Sequence, residues 1–342
     1  MLRRDQKLAL FTEGNLVSEI NKMALGILRY SPNEVTCCID SAYAGQHVQD
    51  LVLTPRDCPV VASVAEAKAL GADVFVLGIA PPGGLIPMEW MPSINSAIES
   101  GMCVLNGLHD LLAPKFPALA DVQWIWDIRI EPSGLQPAQG AARHLTNRRV
   151  LMIGTDMAIG KMTAGLEIHR LARSKGINAE FVATGQIGIT IMGQGIPLDA
   201  IRVDFAGGAV EREVMAVKDA DLVIVEGQGA LIHPGSTSNL PLLRGTMPTH
   251  LILCHRAGMT TLRRQTEFAV PPLRDYMRLY EDLGEALGTF PRPKSAAIAL
   301  NTMDYNEQDA KDWVKRTEEE TGLPVTDPIR FGPEKLLDAV MA

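Results

Sequence analysis

The stretch RRVLMIGTDMAIGKMTAGLEIHRLARSKG, residues 148–176, decides the architecture of the second half of this chain. Arg149–Ile153 is an apolar run that reads as a buried strand, and Gly160–Ser174 carries the spacing of a helix. Between them lies Gly154-Thr155-Asp156-Met157-Ala158-Ile159-Gly160-Lys161. Glycines let backbone N–H groups curl round an anion, and the new helix aims its positive end at the same point. Lys161 adds a mobile point charge for phosphate oxygens. Gly154, Thr155, Asp156, Ala158, Ile159, Gly160, Lys161, Met162 and Thr163 are therefore the expected phosphate-binding residues.

Two features depart from the ordinary phosphate loop. Five residues separate Gly154 from Gly160, where the usual motif has four. Lys161 is followed by Met162 before Thr163, so the hydroxyl that normally holds magnesium is displaced by one position. Either Thr163 takes that role with a local adjustment, or metal binding is weakened. Downstream, Asp221–Val225 reads as a buried strand that ends in Glu226-Gly227-Gln228-Gly229. A carboxylate there can hold magnesium or its water shell, act as a general base if apolar neighbours raise its pKa, or cap a turn.

Outward from these segments, short apolar runs alternate with helical patterns along the whole chain. Strands are predicted at Lys7–Phe11, Val35–Asp40, Pro59–Val61, Asp73–Ala80 and Met102–Leu105, then at Arg149–Ile153, Ala179–Ala183, Asp221–Val225, His250–Cys254 and Ala296–Leu300. Helices are predicted at Asn21–Tyr30, Val64–Leu70, Met91–Ser100, Gly160–Ser174, Ala209–Val217 and Glu307–Thr321, with another beginning at His109–Leu112. Continuous apolar strands between helices argue for parallel sheets covered on both faces. Residues 127–142 lose this periodicity, which places a boundary near residue 135. The expected fold class is α/β: a Rossmann-like parallel-sheet domain over residues 1–135 and a P-loop NTPase-like domain over 136–342. The Gly- and Ile-rich stretch 186–208 is a candidate lid.

Composition removes several function classes. At 342 residues the chain has length for about two domains. With 46% hydrophobic and 21% charged residues it is not an extended disordered chain. A net charge of −8 argues against a general nucleic-acid binder, while local basic pockets for anions stay open. Cys37, Cys38, Cys58, Cys103 and Cys254 form no CxxC pair, so neither a disulfide framework nor a zinc site is indicated, and no metal site is expected beyond the phosphate loop. The apolar stretch near the N-terminus is about five residues long, too short for a secretory signal. No run approaches the roughly 18 apolar residues of a membrane helix. A cytoplasmic protein acting on a small molecule is expected, with apolar residues in the first half available for a domain or subunit interface and hence a homo-oligomer.

Several single residues invite a functional reading beside a plain one. Lys22 and Arg29 lie seven apart, so both can face one anion or simply line a solvated helix face. Asp40 follows a strand where a dinucleotide fold places a ribose-binding acid, but the glycines near Gly14 do not form G-x-G-x-x-G, so NAD is not expected. Asn106, His109 and Asp110 follow a strand end. His233, in the loop after Glu226, is the imidazole best suited to deprotonate an ammonium substrate. His255 and Arg256 follow an apolar strand, and Arg256 can meet a carboxylate bidentately. Gln186 and Gln228 sit beside glycines after strand ends. His169 and His250 read as ordinary.

GTDMAIGK followed by VIVEGQGA closely resembles dethiobiotin synthetase, a P-loop fold with the same long glycine spacing. A resemblance over nearly the whole chain is to the two-domain P-loop family that contains the D-glutamate N-acetyltransferases. NKMALGILRYSP (21–32), CIDSAYAGQ (38–46), VLNGLHDLL (104–112), GTDMAIGKMTAGLEI (154–168), ATGQIGI (183–189), VEGQGALIHPGS (225–236) and LILCHRAGM (251–259) carry it. Its GKMT variant is the one written at Gly160–Thr163. The run from Pro59 to Leu112 is similar to the CoA-binding Rossmann-like domain of succinyl-CoA ligases.

The resemblance implies acetyl transfer from acetyl-CoA to the amine of D-glutamate, in D-amino-acid catabolism. Lys161, Glu226 and His233 are then the catalytic candidates, and Lys22, Gln186, Gln228, His255 and Arg256 the substrate-binding ones. No cysteine is placed for an acyl-enzyme, so direct transfer is favoured. Two other readings stay open: an ATP- and Mg²⁺-dependent ligase or kinase of the dethiobiotin-synthetase type, and a nucleotide- or CoA-sensing module without turnover.

Overall fold

The computed structural model describes residues 2–18 and 20–342. They form two compact units, Met1–Ile130 with Gln186–Pro197, and Glu131–Gly185 with Leu198–Ala342. The division falls between Ile130 and Glu131, and a twelve-residue excursion of the second half is packed into the first unit.

Each unit is built on one six-stranded parallel sheet. In the first, β1 (Leu8–Phe11), β2 (Val35–Ile39), β3 (Val60–Val61), β4 (Val74–Leu77), β5 (Cys103–Asn106) and β6 (Ile125–Asp127) lie in the order β3-β2-β1-β4-β5-β6. That is the strand order of dinucleotide-binding Rossmann sheets, with the chain reversing direction across β1 and β4. Residues of β1, β4 and β5 are all buried, as expected of strands covered on both faces. Phe11 anchors the core, 5.1 Å from Phe75 and 5.6 Å edge-on to Trp90. Asp40, just past β2, is fully buried and accepts N–H bonds from Gly14, Asn15 and Leu16 at 3.0, 3.3 and 3.1 Å. The loop after β1 therefore spends on the Asp40 carboxylate at the end of β2 the amides that a dinucleotide pyrophosphate would need.

The second unit orders its strands differently. Here β7 (Arg148–Gly154), β8 (Ala179–Val182), β9 (Leu222–Val225), β10 (His250–Arg256), β11 (Lys294–Asn301) and β12 (Val325–Thr326) lie as β12-β11-β10-β7-β9-β8. The strand feeding the glycine turn is flanked by β9 on one side and β10 on the other. Both halves are thus α/β but wound differently.

Some expectations need correcting. No helix begins at His109–Leu112; Asp127 accepts the amides of Leu112 and Ala113, and only a 3-10 turn follows at Ala113–Lys115. Asn106 and Asp110 belong to the same structural knot, since Asn106 Nδ2 donates to the Asp110 carbonyl and to Asp127. The candidate lid is largely helical, with Gln186–Met192, a turn at Leu198–Ala200 and the start of the helix Val203–Ala216. That last helix begins six residues before the predicted Ala209. The helices Asn239–Thr246, Leu273–Glu285 and Glu334–Met341, and strand β6, lie outside the sequence expectations. No helix among the described residues is long and apolar enough to cross a membrane.

Candidate functional site

The site is built on the ends of β7, β9 and β10 in the second unit. Gly154 closes β7, and the helix Lys161–Ser174 begins after a turn held by Ala158 at φ 53° and Gly160 at φ 114°. Only glycine adopts the latter cheaply. No side chain caps this helix, so its first amides face the turn without a protein acceptor from a capping residue. Lys161, its first residue, is 7% exposed and donates through Nζ to the Asp156 carbonyl at 2.8 Å. Burial lowers its pKa to about 8, against the charges of Cys254, Asp156 and Glu226, which pull the other way.

Glu226 follows β9 directly. It is 4% exposed, and its Oε2 accepts the amides of Thr184 and Gly185 at 2.9 and 3.1 Å. Burial raises its pKa to about 7, and those two amides, Lys161 and Gln228 oppose the rise. Gln228 Nε2 donates to Thr184 Oγ1 at 3.2 Å, and Thr184 Oγ1 donates to the Glu226 carbonyl at 2.7 Å. Gly227 must be glycine: a Cβ there would stand 1.6 Å from the Met152 carbonyl oxygen of β7. That close approach is what brings the carboxyl of β9 beside the glycine turn of β7.

His233 is half-buried, and its Nδ1 accepts the Gly235 amide at 3.1 Å. Its turn lies beside the phosphate loop, since a Cβ on Gly235 would be 4.0 Å from Met157 Cε. Tyr276 joins the two segments: its hydroxyl donates to the Gly154 carbonyl at 2.8 Å and accepts the Leu231 amide at 3.0 Å.

On the other side of β7, His255 is buried with Nδ1 2.9 Å from Thr155 Oγ1, and burial lowers its pKa to about 4. Arg256 grips Asp304 through Nε and Nη2, both at 2.5 Å. The Asp156 carboxylate accepts the amides of Met157 at 2.6 Å and Arg263 at 2.9 Å. Ile159 is buried, while Met162 and Thr163 are half-buried in the first helical turn.

Lys161, Glu226, Gln228 and His233 therefore meet around one turn, with His255 and Arg256 across it. Thr155 and Asp156 turn their side chains to protein partners, so what they can offer a ligand is backbone. Lys22, exposed on the helix Lys22–Tyr30, and Gln186 belong to the first unit, where a Cβ on Gly107 would touch both Met23 and Gln186. Arg29 there donates to the Leu53 carbonyl. Thr184, Tyr276, Arg263 and Asp304 were not singled out in the sequence. Thr184 alone had a local signal, the strand end before Gly185-Gln186. Among the described residues no three His, Cys, Asp or Glu side chains group as a metal site.

Residues 136–337 match the family described as "Domain of unknown function (DUF1611_C) P-loop domain", and residues 41–131 match its "Rossmann-like domain", DUF1611_N. A Tritonibacter scottomollicae protein named D-glutamate N-acetyltransferase is 33% identical over 326 residues, 94% of this chain and 94% of that protein. A Pseudoalteromonas protein of the same name is 33% identical over 281 residues, 80% of this chain and 83% of that one. The crystal structure of a DUF1611 family protein from Anabaena variabilis is similar with a TM-score of 0.95 and 46% identity, covering 98% of this chain and 99% of that one. The chain belongs to the DUF1611 family, with a Rossmann-like domain followed by a P-loop domain.

Proposed function

We propose that this protein is an N-acetyltransferase that moves the acetyl group of acetyl-CoA to the amine of D-glutamate in the cytoplasm. The observation that carries the reading is the 33% identity, over 94% of both chains, to a protein named D-glutamate N-acetyltransferase. The geometry supports the chemistry. An uncapped helix start and a buried ammonium suit the phosphates of CoA, and Lys161, depressed to about 8, regains charge beside an anion. Acetyl-CoA supplies an acyl carbon with a thiolate leaving group.

Glu226 is the base in this reading. At about 7, its carboxyl is partly ionised at neutral pH and matched to taking a proton from an ammonium. His233 suits the role less: with Nδ1 accepting the Gly235 amide, its neutral ring carries the proton on Nε2. The amine nitrogen bonds to the acetyl carbon, the carbon–sulfur bond breaks, the proton held by Glu226 is returned to the thiolate, and the second proton lost by the nitrogen as it becomes an amide is released to solvent. Cys254, whose thiol burial pushes up to about 12, has no thiolate to offer, which favours direct transfer.

The test is to incubate the protein with isotopically labelled acetyl-CoA and D-glutamate or L-glutamate, then weigh the product. Labelled N-acetylglutamate formed from the D-isomer supports the reading. No acetylated product, with ADP formed from ATP and Mg²⁺, would replace it with the ligase or kinase class.

A further inference from the structure

The two oxygens of the Glu226 carboxyl have different surroundings. Oε2 accepts the amides of Thr184 and Gly185 at 2.9 and 3.1 Å, so Oε1 is the oxygen left to meet an ammonium. The carboxamide of Gln228 lies beside it. A Cβ on Gly185 would stand 3.3 Å from Glu226 Oε1 and 2.5 Å from Gln228 Nε2, so both side chains flank the same bare glycine.

The neighbours of that carboxamide fix which way it points. Thr184 Oγ1 gives its one hydrogen to the Glu226 carbonyl at 2.7 Å, so toward Gln228 it can only accept. Nε2 therefore faces it, at 3.2 Å, and Gln228 also donates to the Glu226 carboxyl. The reversed amide would set its oxygen against an oxygen with no hydrogen left to give. Gln228 Oε1 is thus the edge turned away from both, and no described residue donates to it. The residue is half-buried, and this oxygen is not among the unpartnered polar atoms sealed in the interior. It is an acceptor open to a ligand.

We infer that Gln228 selects the acceptor: its carboxamide oxygen takes an N–H of the amine at Glu226, and so favours an amine over a hydroxyl. The inference rests on Glu226 being the base of the acetyl transfer. It accounts for all three hydrogens of the ammonium. One passes to Glu226, one is released to solvent as the amide forms, and the one on Gln228 stays on the nitrogen in the product. A hydroxyl has a single hydrogen. Once Glu226 takes it, only lone pairs face Gln228 Oε1, and a site built around a hydrogen bond rejects the analogue that cannot make it. Thr184 is then a positioning residue, which acts by orienting Gln228 and Glu226.

The experiment compares D-glutamate with D-2-hydroxyglutarate, which carries a hydroxyl in place of the amine. KM for the first and the inhibition constant of the second are measured in wild type, Gln228→Met and Gly185→Ala. The alanine methyl pushes the Gln228 amide aside while leaving that residue in place. Wild type is expected to hold the amine about 10-fold better than the hydroxy acid, the worth of one hydrogen bond to a charged group. In both variants KM rises and the inhibition constant stays, so the preference collapses, whereas a merely structural role weakens both together. Equal wild-type affinity for the two compounds overturns the inference without recourse to any variant. So does a preference that survives in both variants, or a parallel loss of both compounds. Each of these leaves the acetyl transfer standing if wild type still forms N-acetylglutamate from D-glutamate; no product from wild type overturns both.

Discussion

The Lys161 ammonium is bonded at 2.8 Å to the carbonyl of Asp156, a residue of the loop it serves, in a site where that cation is 7% exposed. A buried charge with one neutral acceptor is costly until an anion arrives. Lys161→Met should therefore keep or raise the thermal midpoint of the ligand-free protein while CoA no longer raises it, read in a melting series with and without ligand. A lower midpoint without ligand would show the cation to be structural.

The same residue gives a pH signature. Its folded pKa is about 8 against an ordinary 10.5, so between these values the unfolded chain keeps a proton that the folded one has shed. Ligand-free stability should rise with pH across that window, by at most about 3 kcal/mol, and CoA affinity should fall above pH ~8. Urea titrations and calorimetry at stepped pH measure both, and Lys161→Met should flatten both.

Glu226 runs the opposite way. Its folded pKa is about 7 against 4.5, so over that range the folded protein holds a proton the unfolded chain has lost, and stability should decline as pH rises from 4.5 to 7. Glu226→Gln should remove that decline. It should also lower kcat by 10²-fold or more, about the worth of a general base, and remove a rising limb near pH 7 from the rate profile. His233→Ala should cost less than about tenfold, since a base elsewhere still operates.

Tyr276→Phe removes the hydroxyl that ties the Gly154 carbonyl to the Leu231 amide. Both partners are left unpaired, at a cost of about 1–3 kcal/mol. Because the tie joins the phosphate loop to the segment after Glu226, kcat should fall more than stability alone explains. Rates measured well below the melting midpoint, with KM for each substrate, check this.

What was legible in the chain was what local pattern encodes. The run from Arg148 into Lys161 declares strand, glycine turn and helix by periodicity, and Glu226 declares itself as an acid at a strand end. Their meeting needs β9 beside β7 rather than β8, an order no local pattern carries, and Gly227 permits the close approach of the Met152 carbonyl that this order brings. Arg263 and Asp304 stayed hidden because they gather only once β10 and β11 lie on the far side of β7. Tyr276 sits on an amphipathic helix, where an aromatic reads as core, and its ring is indeed buried against Tyr280 at 5.3 Å. Gln186 follows a strand of the second half, but nothing in its neighbours announces that the chain crosses to the first unit there.

The most direct measurement is thiol release from acetyl-CoA by the purified protein in EDTA, with D-glutamate, with L-glutamate and with no acceptor. The account expects thiol only with D-glutamate, one for each acetylated amine, and a rate unchanged by chelation. Thiol released equally without acceptor, or none in any of the three, would contradict it.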